Sequence, residues 1–198
     1  MESRRGLLKK TIGGAVLLGA AAAVPVALRK TKLRETTAQL KFFSPAEYSI
    51  WAAVAERVLA RDATPATAEE ARLTGFVERP AAPSPAQIDV AAKADAFLSP
   101  LPAGDAKDLK QLLALFDNAL FSFVTGGPAT PFTQMDAAQQ DAHLRAWQTS
   151  RLAIRRTGFQ AMKRLCAAVY FGSPETFASV GYPGPPYELV KTVLESRK

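Results

Sequence analysis

The sequence predicts an all-α protein: a single irregular helical domain of about five helices with a Pro/Gly-rich extended C-terminal segment, preceded by an N-terminal signal helix. Three observations predict it. Alanine is abundant and β-branched residues are sparse, apolar residues recur at three- and four-residue spacing, and Pro and Gly gather between the periodic stretches. With 198 residues, 48% of them apolar, the chain is long enough for one domain with a sizeable core and too polar for a multi-pass membrane protein.

The N-terminal segment, residues 1–28, is set apart by composition. Residues 3–9 read Ser-Arg-Arg-Gly-Leu-Leu-Lys, the pattern of a twin-arginine export signal, with Arg4 and Arg5 as the pair and Leu7 where Phe is commonest. A weakly hydrophobic run from Thr11 to Leu28 follows, then a basic cluster of Arg29, Lys30, Lys32 and Arg34. Weak hydrophobicity between positive charges suits the twin-arginine route, which carries folded proteins, and predicts a periplasmic location. The run is also just long enough to span a bilayer, so a retained anchor, and membrane association through it, stays open beside cleavage. Residues 29–43 read as a linker, and 44–198 as the helical domain.

Ser44-Pro45-Ala46-Glu47 is a capping box with Pro at the first helical position. It opens a helix to about Arg61 or Asp62, with Tyr48, Trp51, Ala52, Ala55, Val58 and Leu59 on one face. Residues 63–85, rich in Ala, Pro, Thr and Glu, read as a long loop with one short helical turn at Glu69–Thr74. A second box, Ser84-Pro85-Ala86-Gln87, opens a helix to about Leu98 with Ile88, Ala91, Ala92 and Phe97 inward. Asp105 is the predicted cap of a third helix, whose Leu109, Leu112, Leu113, Phe116, Leu120, Phe123 and Val124 make the strongest amphipathic signal. Gly126-Gly127 ends it, and the sequence predicts that it is the central core helix.

Asp136 and Gln139 start a fourth helix carrying Leu144 and Trp147. A fifth runs from about Ser150 to Phe171 with Leu152, Phe159, Met162, Leu165, Ala168 and Val169 inward and Gly158 as a weak point; one kinked helix is the alternative. Arg151, Arg155, Arg156, Lys163 and Arg164 surround this last helix. They read as a solvated face, with a partner-facing patch as the sharper alternative. The tail changes character. Tyr170 and Phe171 lead into a Pro/Gly-rich path through Tyr182 and Pro183, whose aromatic side chains either pack back on the helices or form a rigid docking segment for another protein. A short helix from Tyr187 to Arg197 follows.

The chemistry a soluble enzyme would need is missing. His143 is the one histidine and stands in a polar stretch that implies exposure, so no Ser-His-acid arrangement is assembled around it. There is no dinucleotide fingerprint, P-loop or heme-attachment motif. A Cys/His zinc site has too few ligands with one Cys and one His. We therefore assign no catalytic, cofactor-binding or metal residues to this chain. The net charge of +7 comes partly from the signal, which contributes +3, and the other basic groups are mixed with acids, which excludes a nucleic-acid stripe. Cys166 follows apolar Leu165. It reads as a small buried thiol or, in an exported protein, as a candidate for an intersubunit disulfide.

Three segments carry a resemblance to a known family. They are the twin-arginine start, the helix from Phe43-Ser44-Pro45-Ala46-Glu47 to Ala55-Glu56-Arg57-Val58-Leu59, and the block from Arg151 through Tyr170-Phe171-Gly172-Ser173-Pro174-Glu175 to Gly181-Tyr182-Pro183-Gly184-Pro185. In these the chain resembles the small subunit (subunit 3, or gamma) of gluconate 2-dehydrogenase-type sugar and polyol dehydrogenases. The resemblance covers about half the chain, and residues 63–135 depart from the pattern. It implies a non-catalytic helical subunit that binds a large flavoprotein of the glucose-methanol-choline type. That partner would hold FAD and oxidise a sugar or alcohol, with a cytochrome c subunit often taking the electrons. The small subunit would carry the export signal for both chains through the twin-arginine translocase. A free-standing envelope protein held by an uncleaved N-terminal helix is the second expectation.

Overall fold

The computed structural model describes residues 30–60 and 80–185, which contain seven α-helices, one 3-10 turn and no strand. The helices are α1 (Pro45–Val58), α2 (Val90–Leu98), α3 (Ala103–Phe116), α4 (Ala119–Val124), α5 (Ala137–Gln148), α6 (Ala153–Phe171) and α7 (Pro174–Val180). The all-α class is thus confirmed. The signal segment, the 61–79 part of the long loop and the Tyr187–Arg197 helix lie outside the described residues.

Both reciprocal boxes at true helix starts form as expected. Glu47 N–H donates to Ser44 Oγ at 3.3 Å and Ser44 N–H to Glu47 Oε2 at 2.7 Å; Gln139 and Asp136 exchange the equivalent bonds at 2.8 and 3.1 Å. The Ser84–Gln87 box also closes, at 3.3 and 2.6 Å, but it caps an isolated turn. Asp89 takes φ +44° there and starts α2 anew, its carboxylate accepting from Ala92 N–H at 3.0 Å. This rotates the helix: Val90, Ala91, Ala94, Asp95 and Leu98 face the core, and Phe97, expected inward, is 59% exposed.

α1 occupies the centre, in place of the third predicted helix. It touches α2, α3, α5, α6 and the 3-10 turn. Ser49, Ala53 and Ala55 are small enough to admit neighbours on several sides, and Trp51 and Val54 have no exposed surface. The third predicted helix is in fact two. Asp105 lies within the first turn of α3, whose cap position is Pro102. α3 stops at Phe116 because Asp117 turns inward to accept from Thr133 N–H at 2.8 Å and Thr31 Oγ1 at 2.6 Å. Asn118 then caps α4, accepting from Phe121 N–H at 2.8 Å. After this break Phe123 and Val124 point outward, 59% and 67% exposed. Gly126, at φ +87°, supplies the left-handed stop that the sequence predicts.

α5 and α6 are separate helices. Arg156 Nη1 donates to the carbonyls of Ser150 and Arg151 at 2.6 and 2.9 Å, which braces the junction. Gly158 is a point of close approach: a Cβ there would lie 2.4 Å from Leu112 Cδ1 and 3.1 Å from the Trp147 ring. Leu152 and Ala168, expected inward, are exposed, because α6 starts at Ala153 and turns Arg155, Phe159, Met162, Cys166, Val169 and Tyr170 inward.

Residues 30–43, set off as a linker on composition, lie as an extended strap along the helical body. Lys32 N–H donates to Thr133 Oγ1 at 3.0 Å, Arg34 N–H to Ser49 Oγ at 2.9 Å, and the Arg34 guanidinium pairs with both oxygens of Glu56 at 2.5 and 2.7 Å. Among the described residues no helix is long and apolar enough to cross a membrane.

Candidate functional site

The residues singled out in the tail are placed by the end of α6. Tyr170 turns inward, 3% exposed, and its hydroxyl donates to the Pro83 carbonyl at 2.6 Å, tying α6 to the segment that precedes α2. Ser173 ends α6, its hydroxyl donating to the Val169 carbonyl at 2.7 Å. Pro174 then stands at the first position of α7, where its missing N–H costs nothing. Glu175 reaches across to Lys93 of α2 at 2.7 Å. Thr176 Oγ1 closes the turn, donating to the carbonyls of Tyr170 and Ser173 at 3.0 and 2.8 Å. The stretch expected to be extended therefore contains a helix, because this turn returns the chain onto α6.

The remaining tail residues face solvent. Phe171 is 44% exposed, its ring edge-on to Tyr170 at 5.0 Å. Tyr182 is 43% exposed and packs edge-on against Phe177 at 4.9 Å. Pro183 is exposed, and Gly184, at φ +98°, lets the backbone lie against the Phe177 ring. Tyr170 thus packs back on the helices, while Phe171, Tyr182 and Pro183 present an apolar edge at the surface.

His143 is buried, 4% exposed, contrary to the exposure implied by its polar neighbours. α5 turns it into an aromatic cage, with Phe116 and Phe132 ring centroids 4.9 and 5.5 Å away and Trp147 at 6.0 Å. Burial, and then the charge of Arg155, push it down to about 4, although a hydrogen bond to the Phe116 backbone opposes them. Such an imidazole is neutral across the physiological range, and no serine or carboxylate hydrogen-bonds its unpartnered Nε2. Cys166 has no exposed surface, and burial pushes its thiol up to about 12. This is the geometry of an inert core thiol; pairing with another chain would require Sγ to reach the surface.

Two carboxylates are buried: Asp95, which the sequence does not single out, and Asp117, whose spacing on a predicted helix implies an ordinary surface acid. Asp95 of α2 accepts from the backbone N–H groups of Lys41, Phe42 and Phe43 at 2.7, 2.9 and 2.6 Å. Burial alone would raise its carboxyl, but the three amides outweigh that and hold it below the usual range. Asp117 has the same office at the other end of the strap, but there burial wins over the Thr31 and Thr133 bonds and raises the carboxyl. Both acids clamp backbone, Asp95 three amides of the strap and Asp117 that of Thr133. The only signal for either was an acid on an otherwise apolar helix face.

A cavity of about 660 Å³ lies between the strap, α1 and the turn before α2. Within it Arg34 is paired with Glu56, and Tyr48 Oη donates to Asp89 at 3.0 Å. A second, mostly apolar groove of about 600 Å³ runs between α3 and α6, lined by Leu112, Leu115, Ile154 and Ala161, with Asp108 and Gln111 on its α3 side. Among the described residues no three His, Cys, Asp or Glu side chains come together as a metal site. What the surface offers is contact: exposed Phe97, Phe123, Val124, Ile154, Phe171 and Tyr182.

In comparisons with known proteins, the family model described as gluconate 2-dehydrogenase subunit 3 matches residues 45–184, the first residue of α1 to the glycine packed on Phe177. The match extends through the middle of the chain, beyond the segments in which the likeness was read. No curated protein and no solved structure matches.

Proposed function

Because this chain belongs to the gluconate 2-dehydrogenase subunit 3 family, a family named for one subunit of a dehydrogenase complex, we propose that it is the non-catalytic small subunit of a periplasmic FAD-dependent dehydrogenase. The catalytic partner is a glucose-methanol-choline-type flavoprotein acting on a sugar or alcohol. The small subunit escorts it, already folded, through the twin-arginine translocase by means of Arg4 and Arg5, and then stabilises it. FAD resides on the partner, and a cytochrome c subunit is a candidate electron acceptor.

The observation that carries this reading is the extent of the family match, which takes in every helix of the described body. The surface supports it. Large apolar side chains such as Phe97, Phe171 and Tyr182 stay uncovered on this chain, as they do on subunits that bury them against a partner. The test is a pull-down from the native envelope in mild detergent through a C-terminal tag, read by mass spectrometry and flavin absorbance. A co-purifying flavoprotein with stoichiometric flavin is the expected result. A lone chain without flavin would overturn the proposal in favour of an independent envelope protein.

A further inference from the structure

α6 is the longest helix among the described residues, and its charge is all of one sign: Arg155, Arg156, Lys163 and Arg164, with no Asp or Glu between Ala153 and Phe171. Three of these cations face outward, but Arg155 does not. It is 6% exposed, on the same inward face as Phe159 and Met162, with its guanidinium 5.4 Å from the Trp147 ring centroid. The ion pairs among the described residues join Arg34 to Glu56, Arg57 to Asp141, Lys93 to Glu175 and Lys110 to Glu47; none includes α6. Arg155 Nε has no hydrogen-bond partner, and neither do His143 Nε2 and Trp147 Nε1 in the same cluster of rings.

A guanidinium whose Nε is shut off from water with neither a hydrogen bond nor an anion costs the fold, and stacking on one indole offsets that only in part. The planar fork of a guanidinium is shaped to receive a carboxylate through two parallel hydrogen bonds. Leu152 and Ile154, immediately before Arg155, are 48% and 58% exposed, and Ile154 also lines the groove against α3. An unpaired buried cation, a helix without acids and exposed aliphatic side chains within one turn all complement an acidic segment with aliphatic neighbours.

We propose that the start of α6 is a docking site for the dehydrogenase partner: Arg155 receives a carboxylate from it, and Leu152, Ile154 and the α3–α6 groove take the aliphatic side chains beside that carboxylate. This rests on the proposed subunit role. The site differs from the exposed tail aromatics, which lie at the far end of the same helix.

The experiment compares the full-length wild type with Arg155→Met, Arg155→Lys and Ile154→Glu in the envelope pull-down, and follows thermal unfolding of each isolated chain. Arg155→Met keeps the length of the side chain and removes its charge. The free chain should be as stable as wild type or more so, while captured flavoprotein falls on the order of tenfold or more. Arg155→Lys should retain part of the capture, and Ile154→Glu, a surface change, should weaken it by placing an acid against an acidic partner. An Arg155→Met chain that unfolds at lower temperature would show that the cation serves its own fold, and capture equal to wild type in Arg155→Met and Ile154→Glu would overturn the docking site. A wild-type chain that dimerises alone through Ile154 would transfer the site to a second copy and overturn the partner assignment. Wild-type chain that captures no flavoprotein defeats the subunit role itself, which keeps the two failures distinct.

Discussion

His143 sits edge-on to Phe116 at 4.9 Å with Arg155 as its nearest charge, and the fold keeps it neutral down to about pH 4. In the unfolded chain the same ring titrates near its ordinary 6.5. Between these values the unfolded state binds the extra proton, so stability present above pH 6.5 is lost as the pH falls towards 4. The size of the effect is on the order of 2–3 kcal/mol. Urea unfolding from pH 7 to pH 4.5 should show the midpoint dropping steadily, and His143→Phe should flatten that slope. Asp117, raised by burial, works in the opposite sense at the acid end, and Asp95, held low, loses its contribution only below the ordinary carboxylate range. A wild-type midpoint unchanged across the window would contradict the buried, neutral ring.

The break between α3 and α4 makes a prediction of opposite sign to that of a continuous helix. Alanine is the better helix former, so in an unbroken helix from Ala103 to Val124 an Asn118→Ala change would stabilise. Here Asn118 is the cap of α4, accepting from Phe121 N–H, and its loss should destabilise by about 1 kcal/mol. Equilibrium denaturation of that single variant decides between them. The break turns Phe123 and Val124 outward and leaves Phe121 half-buried against Trp147, their centroids 6.0 Å apart. The same logic governs the tail: Ser173 and Pro174 end α6 and restart the chain as α7, which buries Tyr170 and brings Tyr182 onto Phe177.

Taken together, the helices form a body to which the N-terminal region is physically tied. The strap from Lys30 to Phe43 is held by Asp117 at one end and Asp95 at the other, with the Arg34–Glu56 pair between. A signal on residues 1–28 would therefore pull on a folded body through many bonds rather than on a loose tether, which suits export of a folded complex. If the chain escorts a flavoprotein as proposed, replacing Arg4 and Arg5 with lysine should leave that protein in the cytoplasm, as read by fractionation and flavin fluorescence. Export of the partner at wild-type levels in that variant would remove the escort role and leave the structural one.

The sequence by itself determined the helical class, the starts of α1 and α5, the Gly126 stop and the family. Each of these depends on interactions within about four residues, or on a local string of residue types. Ser44 and Glu47 need no distant partner to form their box. Only the tertiary structure decided which helix is central, that the strap is docked, and that His143 and Arg155 are inside. Asp95 meets Lys41, Phe42 and Phe43 across 52 to 54 residues, and Asp117 meets Thr31 across 86. The sequence around Asp95 or His143 carries no trace of such partners, because helical periodicity states which residues share a face and not what that face meets. A polar side chain on an apolar face is the one local clue. Whether it is clamped, as Asp95 is, or left with an unpartnered atom, as Arg155 Nε is, depends on groups brought to it by the fold.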